Sequence, residues 1–316
     1  MQSVAKARSK PHKAKIGANI RNDYRRNKYV IQMAIPVFLY YLIFRYIPMF
    51  GISIAFFDYN IAGGFAKSDF VGFKYFVDFL TGFYAERTIR NTLLISLMQM
   101  VFSFPFPIIF ALLLNEVRSK KFKSTVQTVS YLPHFISLVV VCGLITNFTS
   151  EKGIINDLIV LFGGERSNLL MEPKYFKWIY VISGIWQEMG WGAIIYLAAL
   201  SGIDTSLYEA ATIDGAGRFK QLWHVTLPGI APTIIVMLIM NMGKMMTVGS
   251  DKIILLYNEN IYETADVISS FVYRRGIVES NYSYSTAVNL FNSVVNIILL
   301  TITNHISRRV SETSLW

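Results

Sequence analysis

Six long apolar runs set the first constraint on this chain. They cover residues 29–44 (continuing past Arg45 to 57), 92–114, 125–148, 178–200, 228–248 and 286–305. The run 92–114 holds no charged residue, and 178–200 holds one, Glu188. A helix needs about 20 apolar residues to cross the hydrocarbon core of a bilayer. Backbone polar groups find no water there, so only helices or closed barrels can span it. The expectation is an all-α integral membrane protein with six transmembrane helices. Only 16% of the residues are charged, against about a quarter in a soluble domain. Pro36, Pro105, Pro107, Pro133 and Pro232 fall inside the runs, which membrane helices accept because neighbours re-satisfy the freed backbone groups.

The net charge of +10 raises nucleic-acid binding as a class, but the distribution excludes it. Nine Lys or Arg precede the first run, from Lys6 to Lys28, and the rest form no basic stripe on a soluble fold. A basic arm ahead of a span holds that end in the cytoplasm. With the N-terminus inside, the inner segments 1–28, 115–124, 201–227 and 306–316 carry 17 of the 30 basic residues, although the outer loops are longer in total. Both termini are therefore expected in the cytoplasm, in a multi-pass protein of the inner or plasma membrane. Arg45 is expected to snorkel to the outer interface or pair there. No secretory signal peptide is evident, since no small-residue cleavage site follows the first long run. Cys142, the single cysteine, lies in an apolar run and reads as a packing residue.

Outer segment 58–88 carries a Gly63-Gly64 turn signal with Phe65, Phe70, Phe73, Tyr75 and Phe76; segment 249–285 carries Tyr257, Tyr262, Phe271, Tyr273, Tyr282 and Tyr284. These aromatics fit an interfacial belt or a docking and sugar-stacking surface.

The inner segment 201–228 is the most informative. It reads as two short helices around a glycine turn. Ser206 and Glu209 have capping-box spacing, and Leu207, Ala210 and Ala211 share a face. Gly215 and Gly217 suit a helix end that needs positive φ. A second short helix is expected over 218–224, and Pro228 then opens the fifth span. Such an element would lie flat on the inner face, ready to meet a soluble partner.

This segment resembles the cytoplasmic signature loop of binding-protein-dependent ABC importer permeases: Glu-Ala-Ala, three residues, Gly, nine residues, Ile, one residue, Leu-Pro. The chain supplies Glu209-Ala210-Ala211, Gly215 and Val225-x-Leu227-Pro228, departing only in Val for Ile. The resemblance implies a type I importer permease fold, with residues 1–28 a basic cytoplasmic arm, 29–309 the transmembrane permease domain and 310–316 a cytoplasmic tail. It implies that Glu209, Ala210, Ala211, Asp214, Gly215, Ala216, Leu227 and Pro228 couple to an ATPase. Other stretches are similar to the carbohydrate branch, especially permeases for complex oligosaccharides. They are Ala111-Leu112-Leu113-Leu114-Asn115-Glu116, Tyr131-Leu132-Pro133-His134-Phe135, Tyr262-Glu263-Thr264-Ala265-Asp266-Val267 and Tyr282-Ser283-Tyr284-Ser285-Thr286-Ala287. The implied partners are a second homologous permease subunit forming a heterodimer, two ABC ATPase subunits, an extracytoplasmic solute-binding protein and an oligosaccharide. No cofactor is expected on this chain itself; ATP and Mg belong to the partner ATPase.

Polar residues inside spans mark either a pathway or interhelical contacts. Glu188 lies mid-span beside Trp186, Gln187 and Trp191, and Asn241 and Lys244 lie in the fifth run. Asn289, Asn292 and Asn296 fall at i, i+3 and i+7 of the sixth, on one helix face. In the pathway reading their amides would bind sugar hydroxyls and the aromatics would stack on sugar rings. In the other they join helices.

The chain has no phosphate-cradling Gly-x-x-x-x-Gly-Lys-Ser/Thr pattern, so ATP hydrolysis is not expected of it. No nucleophile–base arrangement is apparent, and His12, His134, His224 and His305 are scattered and assigned no role. Two alternatives stay open: the same permease fold with a non-sugar cargo, and an intramembrane transferase. The transferase would need paired acidic motifs at the inner face, where Asp204 and Asp214 offer weak support.

Overall fold

The computed structural model describes residues 26–310. The basic arm before residue 26 and the tail after 310 lie outside the described residues. The described residues form two units, those up to residue 53 and those from 54 onward.

In the first unit, α1 (Lys28–Tyr41) continues through a π-helical turn, Leu42–Tyr46, and a short helical piece, Ile47–Met49. Pro36 sits inside α1 without ending it. Apart from Lys28 and Gln32 the helix is free of charged and amide side chains, and it buries none of its residues, a combination that suits lipid as the surrounding medium. Arg45 falls in the π-helical turn.

The second unit begins with a small antiparallel pair, β1 (Phe57–Asp58) and β2 (Asp69–Phe70), with Phe57 opposite Phe70. Helix α2 (Lys74–Leu80) follows. Next, α3 (Ala85–Met98), a π-helical turn at Gln99–Ser103 and α4 (Pro105–Glu116) form one run of 32 residues. The π-helical turn takes up the register change before Pro105, which has no N–H to donate.

The third expected span, 125–148, is instead two helices, α5 (Lys120–Tyr131) and α6 (Leu138–Thr149). Pro133 interrupts the ladder in a 3-10 turn, Leu132–Phe135, and Ile136 and Ser137 are extended. The apolar run in this region lies further on, from α6 into α7 (Ile154–Leu161).

Helix α8 (Pro173–Ser201) is 29 residues long, about 44 Å at the α-helical rise. It is not among the five described helices that are both long and apolar enough to cross a membrane. Ser183, Gln187, Glu188 and its glycines lower its hydropathy. It is nevertheless the hub of the unit, packed against α4, α5 and the π-helical turn after α3. A helix walled by protein faces less lipid and needs less apolar surface.

After α9 (Thr205–Ile213), the chain runs from α10 (Arg218–Gln221) through a π-helical turn, Leu222–Thr226, into α11 (Leu227–Met242). The fifth span ends at Met242 rather than 248, so Lys244 occupies the turn beyond it. Gly243, in the ordinary right-handed conformation, is the C-cap there.

Segment 249–285 is not an open loop. It folds as α12 (Ser250–Leu256), α13 (Tyr262–Ala265) and α14 (Ile268–Tyr273), and its Ile253, Ile261, Val267, Ile268 and Phe271 are buried. Phe271 packs on Phe79 with ring centres 6.1 Å apart, so this aromatic belongs to the core, whereas Phe70 and Phe73 are exposed. Asp266, fully buried, is held 2.8 Å from both Arg87 and Arg274. The last helix, α15 (Tyr282–Val310), packs on α2, α11 and α14. Cys142 is buried in the core beside Ile95, Val141 and Tyr180, as a packing residue would be.

Candidate functional site: an inner helical bracket and a polar cleft

The signature segment forms a braced element. Asp204 caps α9, its Oδ1 accepting from the Ser206 N–H at 2.9 Å. That bond holds the Asp204 carboxyl below its usual pKa. The expected Ser206–Glu209 box does not form, because Ser206 is already the second helical residue. Glu209 is the fifth, exposed and one turn beyond the strongest field of the helix N-terminus. Gly215 adopts φ +75°, with open space where a Cβ would stand, so it alone requires glycine here. Gly217 has φ −70° and ψ 167°, ordinary extended backbone.

Cross-links fix the angle between the two short helices. Gln221 Nε2 donates to Thr212 Oγ1 at 3.0 Å and to Ala216 O at 3.1 Å. The Tyr208 and Thr226 hydroxyls meet at 3.0 Å. The helix opened by Arg218 runs continuously past Pro228, so this proline does not start it. Glu209, Ala210, Asp214 and Pro228 are exposed; Ala211 and Ala216 are half-buried, and Leu227 packs against the core formed with Ile108, Tyr196 and Ile230. Large apolar side chains nearby face outward, Ile213 at 86% and Phe219 at 74% exposure.

The second feature is a cleft of about 430 Å³ between α3–α4, α8 and the end of α11. Glu188, Asn241 and Lys244 share its lining. The other predicted residues go elsewhere. Trp186 lines a separate apolar cavity with Trp178 and Ile182, and Gln187 is buried. Trp191 stacks face to face on His134, centroids 4.5 Å apart and planes 3° from parallel. His134 Nδ1 in turn lies 2.9 Å from Glu188 Oε2. Asn292 Nδ2 donates to Met246 O at 3.0 Å, and Asn296 Oδ1 accepts from the Met246 N–H at 2.8 Å. These two asparagines pin the turn after α11, while Asn289 is exposed.

Several lining residues were not singled out from the sequence. Ser96, Gln99 and Ser103 all face the cleft; their i, i+3, i+7 spacing in an otherwise apolar run was the available signal. Ser96 Oγ bonds the Met245 carbonyl. The Ser103 hydroxyl is buried without a partner among the described residues. His134 carried no role in the sequence, and only the fold brings it to Glu188. Lys252 is 8% exposed, with Nζ donating to Tyr180 O at 3.3 Å. Burial pushes its pKa down to about 8.

Residues 79–312 match the family described as "Binding-protein-dependent transport system inner membrane component". The chain belongs to this family. It is 43% identical over 318 residues to Protein LplB of Bacillus subtilis (strain 168), across all of both chains. It is 42% identical over 292 residues to the polygalacturonan/rhamnogalacturonan transport system permease protein YteP of the same organism, covering 92% of this chain and 91% of that one. A chain in the crystal structure of a bacterial ABC transporter involved in the import of the acidic polysaccharide alginate superposes with TM-score 0.86 at 41% identity, covering 93% of this chain and 99% of that chain. The same likeness holds for that transporter in complex with an alginate pentasaccharide-bound periplasmic protein. The permease fold expected from the signature loop is thus found by sequence and by structure. The permease has several apolar helices suited to a membrane, and the two relatives above are bacterial.

Proposed function

We propose that this permease forms half of a translocation pathway for an oligosaccharide, handed over by an extracytoplasmic binding protein, with a second permease as the other half. Coupling runs through residues 201–228 to one of two separate ATPase subunits, which use ATP and Mg; this chain performs no chemistry. Both termini lie in the cytoplasm. The observation that carries the reading is the bracket itself: a short helix with outward apolar side chains, held at a fixed angle by Gly215 and Gln221. A rigid bracket transmits a push from a soluble partner to α8 and α11, between which the cleft lies, and alternating access follows from their relative movement. The hydroxyls and amides of the cleft suit sugar hydroxyls, and the carbohydrate relatives support that cargo.

The test uses the assembled transporter in proteoliposomes. Glu209→Lys and Gly215→Val are expected to lower ATP hydrolysis stimulated by loaded binding protein, or to loosen ATPase association, at normal permease abundance. Gly215→Asn retains more coupling than Gly215→Val, because Asn tolerates the left-handed conformation. If Glu209→Lys and Gly215→Val both respond as wild type does, the segment is not the coupling element.

A further inference from the structure

The cleft has an unusual charge balance. Lys244 lines it, and among the described residues neither Lys244 nor Lys252 has a carboxylate within salt-bridge distance. Lys252 is the odder of the two. Its ammonium has three N–H donors, yet a single hydrogen bond is made, the long one to Tyr180 O. The Tyr180 ring lies 5.0 Å away, and the Glu188 carboxylate acts on the ammonium only from beyond ion-pair distance.

Gly184 sits between this ammonium and the cleft. Gly184 lines the cleft. A Cβ built on it meets one heavy atom within 4 Å, Lys252 Nζ at 3.8 Å. The missing side chain leaves a window from the cleft wall to a buried cation. Glu188, one helical turn along α8, is the acidic group lining the cleft, and it is engaged with His134. A neutral sugar would leave the Lys252 donors unpaired, and an unpaired buried charge is costly. A carboxylate would pair with them through charge-assisted bonds.

We propose that this cleft is built for an acidic oligosaccharide, with Lys252, reached past Gly184, and Lys244 receiving the carboxylates of its uronic acid units. The proposal rests on the oligosaccharide reading above and names the chemical class and the groups that select it.

The probes are trigalacturonate and its carboxyl-reduced, neutral trisaccharide, offered with binding protein to the assembled transporter in proteoliposomes, with uptake read by mass spectrometry. Wild type is expected to favour trigalacturonate. Lys252→Gln is expected to cut its uptake at least about tenfold, the factor that losing one charge-assisted bond brings, while sparing the neutral trisaccharide. Lys244→Gln and Gly184→Val act in the same direction and cover the case in which Lys252→Gln does not fold. Equal loss of both probes in the variants, or no preference in wild type, overturns the acidic assignment and leaves oligosaccharide import standing. Uptake of neither probe by wild type, with neutral or acidic oligosaccharides of other composition also excluded, overturns both readings.

Discussion

At Gly190, α8 passes close against the backbone of α5. A Cβ there would stand 2.1 Å from the Ser130 carbonyl oxygen and 2.5 Å from its carbon, both backbone atoms of α5. Ordinary contact begins at 3.4 Å, so Gly190→Ala must part the helices by about 1.3 Å, which a close-packed interior resists. Overpacking costs about 1–3 kcal/mol, and the upper end applies when backbone is the obstacle. The better helix propensity of Ala returns about 1 kcal/mol, leaving a net loss of about 2 kcal/mol. Gly143, within α6, provides the control: nothing lies within 4 Å of its Cβ position, so Gly143→Ala is expected to be neutral or stabilising. The assay is the thermal unfolding midpoint of the purified permease in detergent, alongside membrane abundance. The loss extends to the cleft, because the contact at Ser130 sets the distance at which His134, four residues on, reaches Trp191 and Glu188. A Gly190→Ala midpoint at or above wild type would refute the close-approach argument.

Two further outcomes follow from buried polar contacts. Asp266→Asn leaves the guanidinium groups of Arg87 and Arg274 without their shared carboxylate; a loss of about 3 kcal/mol is expected, read as lower abundance and an earlier melt, and unchanged stability would count against the pair as a structural lock. Asn292→Leu and Asn296→Leu each orphan a backbone group of Met246, costing about 1–3 kcal/mol. Stability should fall with little change in the KM for loaded binding protein, whereas a raised KM at normal stability would return the asparagine stripe to the pathway.

The sequence carried the membrane class, because apolar length is a local property set by bilayer thickness. It also carried the family, because Glu209, Gly215 and Leu227-Pro228 are spaced along one continuous segment. The positive φ at Gly215 was legible for the same reason: a helix end that turns back needs it wherever the helix is placed. What failed was what depends on neighbours. The break at Pro133 was read through, since proline inside a membrane helix is acceptable when packing repairs the ladder, and only the fold shows that here the chain leaves the helix instead. Helix α8, which is not among the five apolar spans, proved central, because what wraps a helix is decided by the rest of the chain. The asparagines at i, i+3 and i+7 share a face, but which groups that face meets was settled by the turn after α11. The convergence of Glu188 with His134, and of Lys252 with Gly184, joins residues 54 and 68 positions apart. Helix periodicity relates residues only within a turn or two, so contacts of that range exist only once the helices have packed.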